Sequence, residues 1–464
     1  MTAPTEMVPA LADDEFVGAF RGELIGPYHP VYDEARAVYN GMIDRRPAMI
    51  ARCRDAADVM AAVRLAGRTG MPTAVRGGGH NAGGLGVVDD GLVIDLSEMR
   101  GIRVDPDRRT VRAEGGALLG DLDHATHPFG LAVPCGVLST TGVGGLTLGG
   151  GIGHLTRRHG LSVDNLLSVD IVLADGRMVV ASESRHPDLF WAVRGGGGNF
   201  GVVTSLEFRA QPVATVVGGP TLWPMEMAAD AMRFFDEMIR GAPDDLNGFF
   251  VFLTVPPAPP FPPELHMQKM CGVVWCWSGP AESADTVFAP VRAFGPPALD
   301  GIAEMPLPVL QSAFDPLYPK GLQWYWKGDL MGDLSDEAIA AHAEHGARLP
   351  TMLSSMHLYP IDGAAGRVAR DATAFAGREA RYSQVIVGVD PDPANADAIR
   401  TWTRDYYDAM RPHALGGAYV NFLQGDEAPG ELEASYGDNW DRLVEIKRRY
   451  DPDNLFRHNR NIAP

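Results

Sequence analysis

Apolar and polar positions in the first two hundred residues follow two rhythms, a short alternation that marks strands and one stretch of three-to-four spacing that marks a helix. Residues 47–51 and 71–75 read as strands. Between them Asp55 caps a helix through Ala66, with apolar positions at Val59, Ala62, Val63 and Ala66. This unit delivers the chain to the stretch from Arg76 to Gly84, Arg-Gly-Gly-Gly-His-Asn-Ala-Gly-Gly. Runs 91–96 and 103–104 are strand-like, 110–114 alternates as a half-buried strand, and 120–127 reads as a short helix before the apolar 131–133. A strand over 166–173 turns at 174–177 and returns over 178–181 as a hairpin. Residues 188–194 then lead into a strand at 202–208.

Beyond Gln211 and Pro212 the rhythm changes. Helices are expected at 228–239, 283–294, 336–348 and 393–409, and strands at 248–255, 268–277, 356–359 and 383–389, with a proline-rich loop at 256–263. Helices grouped around strands joined without crossovers indicate an antiparallel α+β domain. The end of the chain reads as helical through Tyr450, is broken by Asp451-Pro452-Asp453-Asn454, and runs extended and polar to Ile462, as expected if it docks on the body. The start of the chain, 1–45, reads as a lead-in tied to the body by Tyr28, Pro30 and Tyr32.

The 54 glycines change the picture because they cluster, at 76–84, 136–153 and 195–201. Glycine accepts φ > 0 and lets backbone N–H groups crowd an anion, so each cluster can line a ligand. A single dinucleotide fold uses one such loop. Three within about one domain suit a backbone laid against a large planar ligand, and the second is expected to form no regular element. His80 places one imidazole among the glycines of the first cluster, where it can bond to or react with what they hold.

Charge then narrows the partners. A net charge of −19 repels nucleic acid and anionic membrane, and says little about a small-molecule substrate. No run approaches the ~20 apolar residues of a membrane span. Residues 1–16 lack the pattern of a signal peptide, and a cytoplasmic location is expected. Cys53, Cys135, Cys271 and Cys276 read as structural thiols, and no metal site is expected. The sequence is silent on oligomeric state.

Five ordered blocks carry a resemblance: residues 76–81, 141–153, 159–165 (His-Gly-Leu-Ser-Val-Asp-Asn), 190–204 and 450–459 (Tyr-Asp-Pro-Asp-Asn-Leu-Phe-Arg-His-Asn). Together they resemble the berberine bridge enzyme-like FAD-linked oxidases of the vanillyl-alcohol oxidase/PCMH flavoprotein superfamily. The resemblance implies an α+β fold: a PCMH-type FAD-binding domain of two α+β subdomains over 46–212, an antiparallel-sheet substrate domain with helices on one face over 213–435, and a segment over 436–464 that returns to the first domain. It implies that FAD is held by Arg76, Gly77, Gly78, Gly79, His80, Asn81 and Gly84 in the first cluster. In the second it implies Gly136, Ser139, Thr140, Thr141, Gly142, Gly145, Gly149 and Gly153, then Gly201 and Val203 after the third, and Asn459 and Asn461 in the tail. His80 is implied to form an 8α-histidyl bond to the flavin. Many relatives add a cysteine link in a Gly-x-Cys-x-x-x-Gly setting. Here Leu138 takes that position and Cys135 lies three residues earlier, so a single link is expected.

For catalysis the resemblance points to the strand with His357 and Tyr359 and to residues 417–422. Alternation places Tyr419 and Asn421 on one face if the latter is a strand. Tyr419 is the first choice for a base or orienting hydroxyl, with Lys327 as the charge that could help it. His357 is the second, needing no such help. A carboxylate often stands on this strand in relatives, and none stands here. Thr141 is implied to lie at the flavin edge that meets O2, its small side chain favouring an oxidase. His154 stands next to the second cluster, and Trp275, Trp277, Trp324, Tyr325 and Trp326 are candidates for an aromatic pocket. The expected activity is hydride transfer from a C–H next to O or N to flavin N5, with O2 reduced to hydrogen peroxide. The alternatives are a flavin oxygenase or oxidative cyclase of secondary metabolism, and a flavin binder without turnover.

Overall fold

The computed structural model describes residues 13–464, so the signal-peptide reading lies outside the described residues for positions 1–12. Three sheets organise the chain. In the first, Met49–Arg52, Leu92–Asp95 and Thr73–Arg76 run parallel, with Glu23–Ile25 antiparallel at the edge. The crossover helix is Ala56–Thr69. The Asp55 carboxylate accepts from Asp58 N–H at 3.0 Å to start it, and Gly70 at φ +64° ends it. Val59, Ala62, Val63 and Ala66 are fully buried against Met49 and Ile94. The lead-in is therefore woven into this sheet. Tyr32 is buried and donates its hydroxyl to Pro47 O at 2.7 Å, whereas Tyr28 is 95% exposed and Pro30 is exposed, so neither anchors it.

The second sheet is antiparallel, ordered Ile102–Asp105, Thr110–Glu114, Val202–Arg209, Leu166–Val172, Met178–Ser182. The third has eight strands, with the central order Thr215–Pro224, Lys269–Trp277, Leu246–Thr254, Ser355–Pro360, Tyr382–Asp390 and Gln323–Met331. Thr215–Pro224 and Gln323–Met331 escape a pattern reading because Gly-Gly-Pro interrupts the first and Lys-Gly-Asp the second. Helices Ala228–Gly241, Ala284–Ala293, Asp336–Gly346 and Ala396–Met410 cover one face, over Phe250, Phe252, Met356, Leu358 and Ile386. Period-two alternation sends Phe249, Trp324, Tyr359, Val385 and Val387 to the opposite face, toward the first domain. Trp275 and Trp277 lie in the helix-side core.

Two local readings change. Within the second glycine cluster Val143–Gly149 is helical. Burial of Val143 and Leu148, and the close approach of Gly144 to Gly115, override glycine's poor helix propensity. The final helical region is two helices, Glu431–Tyr436 and Trp440–Tyr450, broken where Gly437 sits at φ +49°. Leu443, Ile446 and Ile462 pack into the core of the five-stranded sheet. Lys447, fully buried, donates to Asp451 Oδ2 at 2.6 Å, Asn199 O at 2.8 Å and Phe456 O at 3.1 Å, which pins the extended tail to the third glycine cluster.

Candidate active site

The three glycine clusters converge because two of their backbones touch. A Cβ on Gly78 would lie 2.4 Å from Gly142 N, and one on Gly142 would lie 2.5 Å from Gly78 N, so neither position admits a side chain. Gly195 and Gly197 both donate their N–H to Leu148 O, at 3.0 and 2.9 Å, tying the third cluster to the end of the second. Enclosed between these loops and the open face of the large sheet is a cavity of about 400 Å³. At Gly145 and Gly198, both on its wall, a Cβ would meet nothing within 4 Å.

Of the residues expected to hold the cofactor, Arg76 through Asn81 line this cavity, as do Gly136, Thr141, Gly142, Gly145, Gly201, Val203 and Asn459. Gly84, Ser139, Thr140, Gly149, Gly153 and Asn461 stand outside its wall. Four of them are engaged elsewhere: Ser139 donates to Asp315, a Cβ on Gly84 would strike Ile43, one on Gly149 would strike Asn421, and one on Gly153 would strike Cys135 O. The Thr140 carbonyl accepts from the His80 ring, while Thr140 Oγ1 and Asn461 Oδ1 are buried without partners. Leu138 is on the wall, while Cys135 is buried off it with its thiol pushed up by burial. All four cysteines are free and buried.

His80 is the imidazole at the junction. Its ring stacks on Tyr39 at 3.8 Å and 19°, and burial drives its pKa down to about 3, so it is neutral. Neutrality leaves one ring nitrogen with a lone pair. Tyr39 and its neighbour, which no local pattern in the sequence singles out, hold this junction. Tyr39 N–H donates to Gly79 O at 3.0 Å and its hydroxyl donates to Tyr318 O at 2.7 Å. Asn40, 1% exposed, donates to Ala82 O at 2.7 Å and Trp324 O at 2.9 Å and accepts from Trp324 N–H at 3.0 Å. Two lead-in residues thus join the first glycine loop to the substrate-side sheet.

Across the cavity stand His357, Tyr359, Tyr419 and Asn421. His357 Nδ1 lies 2.8 Å from Tyr359 Oη, and burial lowers His357 to about 4. Residues 417–422 are not a strand. Gly416 and Gly417, at φ +85° and +73°, turn the chain, and Val420–Phe422 is a 3₁₀ turn. The turn still brings the two predicted side chains together, Asn421 Nδ2 donating to Tyr419 Oη at 2.7 Å. Gly151 N–H donates to the same oxygen at 2.9 Å, yet burial prevails and raises the phenol to about 12. Lys327 does not reach Tyr419. It has the opposite parity from Trp324 and Trp326, and pairs behind the sheet with Asp426 at 2.5 Å. His154 is buried off the wall, and burial lowers it to about 4. Of the aromatic candidates, only Trp324 and Trp326 line the cavity.

The donor set fits a flavin dinucleotide. Backbone replaces side chains along the glycine wall, and Arg76 Nη1, Asn459 Oδ1 and Arg460 Nε, all on wall residues, are buried without partners, as groups awaiting phosphate and ring-edge contacts would be. Among the described residues no cluster of three or more His, Cys, Asp or Glu could hold a metal ion, and no helix is long and apolar enough to cross a membrane.

Comparison with known proteins gives the same picture. Residues 47–182 match the FAD binding domain family, and residues 418–463 match the family described as berberine and berberine like. The chain is 31% identical over 424 residues to an FAD-linked oxidoreductase of Dictyostelium discoideum, covering 90% of this chain and 89% of that one. It is 30% identical over 466 residues to (R)-6-hydroxynicotine oxidase of Paenarthrobacter nicotinovorans, covering 96% and 97%. The crystal structure of 6-hydroxy-D-nicotine oxidase from Arthrobacter nicotinovorans superposes with a TM-score of 0.85 at 27% identity, over 96% of this chain and 98% of that one. A xylooligosaccharide oxidase from Myceliophthora thermophila shares the fold, with a TM-score of 0.85 at 24% identity over 98% and 99%.

Proposed function

The chain belongs to the berberine bridge enzyme-like family of FAD-linked oxidoreductases, and from that footing we propose that it is an oxidase: a hydride leaves a C–H bond next to oxygen or nitrogen of a small organic substrate, and the electrons reach O2 to give hydrogen peroxide. FAD supplies the hydride acceptor at N5 and the passage of electrons to O2. Gly77, Gly78 and Gly79 would lie along its pyrophosphate. His80 would carry its single covalent bond, at the 8α carbon, with Leu138 where a second, thiol link would otherwise form. The observation that carries this reading is that one cavity joins three glycine clusters to His357, Tyr419 and Asn421.

The polar groups divide the work by protonation state. Tyr419, protonated up to about 12, already accepts two N–H groups and has only its own O–H left to offer, so it orients a substrate oxygen or nitrogen. Asn421 fixes that hydroxyl. His357 is the base when Nδ1–H donates to Tyr359 Oη, which leaves Nε2 to take the proton from the substrate hydroxyl or amine. Burial keeps it neutral, and so able to accept a proton, down to about 4, but also makes it a weaker base than an exposed imidazole, contrary to the expectation that His357 needs no help. Thr141 keeps the cofactor edge open to O2.

Acid precipitation of the purified yellow protein tests the covalent bond. Flavin is expected to stay with wild type and with Cys135→Ser, and to be released from His80→Ala. With a substrate found by screening alcohols, amines and sugars for peroxide release, one peroxide per substrate is expected, and a shortfall would favour the oxygenase reading. Anaerobic flavin reduction is expected to be flat from pH 6 to 9 and at least ~10-fold slower in Tyr419→Phe with flavin still bound. An unchanged rate would remove Tyr419 from the mechanism.

A further inference from the structure

The substrate side of the cavity is built almost wholly of rings. Tyr39, Tyr318 and Trp326 surround Trp324 with centroid distances of 5.1, 5.3 and 6.0 Å. A second arc runs from Phe314 through Phe249 to Tyr359 at 5.9 and 4.9 Å, and on through Phe422 to Tyr419 at 6.1 and 4.9 Å. Val385 and Val387 fill the sheet between the arcs. Among the described residues no Asp, Glu or Lys lines the cavity, and its only guanidinium groups, Arg76 and Arg460, stand with the glycine loop and the tail.

We propose that the substrate is an uncharged, planar aromatic or heteroaromatic molecule, sandwiched between the two arcs with its oxidisable C–H on a ring substituent; this rests on the oxidase reading above. The wall decides against the other classes. A sugar would bury several hydroxyls against Phe249, Phe314 and Trp326, with few groups to pair them, at about 1–3 kcal/mol for each left unpaired. Dense sugar recognition uses carboxylates or cations, and this wall has neither; besides its phenols, its polar groups are the Asn421 amide, the His357 imidazole, the Ser355 hydroxyl and the indole N–H groups of Trp324 and Trp326. An ammonium would gain about 0.5–2 kcal/mol over each ring face it meets, but with no carboxylate on the wall that gain stands against a desolvation cost of several kcal/mol. A flat neutral ring meets other rings edge-on or offset, which is worth about 0.5–1.5 kcal/mol beyond its buried area for each contact. Trp326 and Phe314, partly accessible on the wall, are the specificity-determining residues.

Titration of the holoenzyme with four probes tests this, read by perturbation of the flavin spectrum: 4-methoxybenzyl alcohol, its cyclohexane analogue (4-methoxycyclohexyl)methanol, xylobiose and benzyltrimethylammonium. The aromatic alcohol is expected to bind at least ~10-fold more tightly than each of the others. Trp326→Leu, which keeps an apolar wall, is expected to weaken the aromatic alcohol about fivefold and leave the cyclohexane analogue within about twofold. Tighter binding of xylobiose or the ammonium overturns the proposal, as does equal binding of the ring and its saturated analogue. A colourless protein would defeat the flavin reading before any probe is added. Tryptophan fluorescence with the same probes would then still decide the preference of the cavity.

Discussion

The two walls of the cavity are built from opposite materials. The glycine wall is backbone, and its loops approach so closely that Gly78 and Gly142 exclude even a methyl group from each other. The facing wall is side chain, rings on three strands with Val385 and Val387 on a fourth between them, held on a sheet whose other face packs against helices. Where its loops clasp, a backbone wall is intolerant, because an atom added at Gly78 or Gly142 meets main chain that cannot rotate away. A side-chain wall has rotamers and volume to exchange. The first suits a cofactor of fixed shape and the second a substrate that can differ between relatives.

If the glycine wall is a single rigid object, it should fail at its clasp. Lys447→Ala leaves the buried Asp451 carboxylate without its cation and the Asn199 and Phe456 carbonyls without their donor. Breaking one side of such a buried pair costs about 3–5 kcal/mol, expected as a lower urea midpoint of the holoprotein with an unchanged slope. A loss under about 1 kcal/mol would mean that the tail is an accessory. Next in size is Gly78→Ala, whose methyl strikes Gly142 N, for an expected loss of about 3 kcal/mol together with reduced flavin content. Gly145→Ala separates the two effects. Its methyl meets nothing within 4 Å, so stability should stay within about 0.5 kcal/mol while flavin content falls. Equal destabilisation by both alanines would break the contrast between a clasp and a lining.

The same difference decides what could be read from the sequence. The glycine wall is contiguous in the chain: three clusters, a capped helix delivering the first, and a polar tail that made sense only if docked. The aromatic wall depends on parity along strands. Trp324 and Trp326 face the cavity while Tyr325 and Lys327 face away, and that cannot be assigned until Gln323–Met331 is known to be a strand. Placing Lys327 beside Tyr419 failed for this reason. Tyr39 and Asn40 were invisible for another. Their partners lie at Gly79, Ala82, Tyr318 and Trp324, and nothing in their own neighbourhood signals contacts that far along the chain. Tyr419 and Asn421 were paired by the wrong geometry, a strand, and meet through a 3₁₀ turn.

The one expected gain lies behind the aromatic wall, where a change should be absorbed or even welcomed. Asp329 sits on the same strand as Trp324 and Trp326 but faces the helices, 4% exposed, with Oδ2 unpartnered. Burial, and then the neighbouring Glu431, raise its pKa to about 8 against the opposing pull of Arg411, Tyr407 and Lys327. In the unfolded chain the carboxyl ionises near ~3.9. Between these values the folded state holds a proton that the unfolded state has released, so this group makes stability fall as pH rises from about 4 to about 8, and contributes no further slope above that. Asn cannot ionise. The stability of Asp329→Asn relative to wild type should therefore climb across that window, by up to about 1.4 kcal/mol per pH unit, and level off, read as a rising thermal midpoint with the flavin spectrum unchanged. Parallel melting curves from pH 5 to 9 would mean that Asp329 is already ionised in the fold, and that the back of the aromatic wall is as exactingly balanced as the glycine clasp.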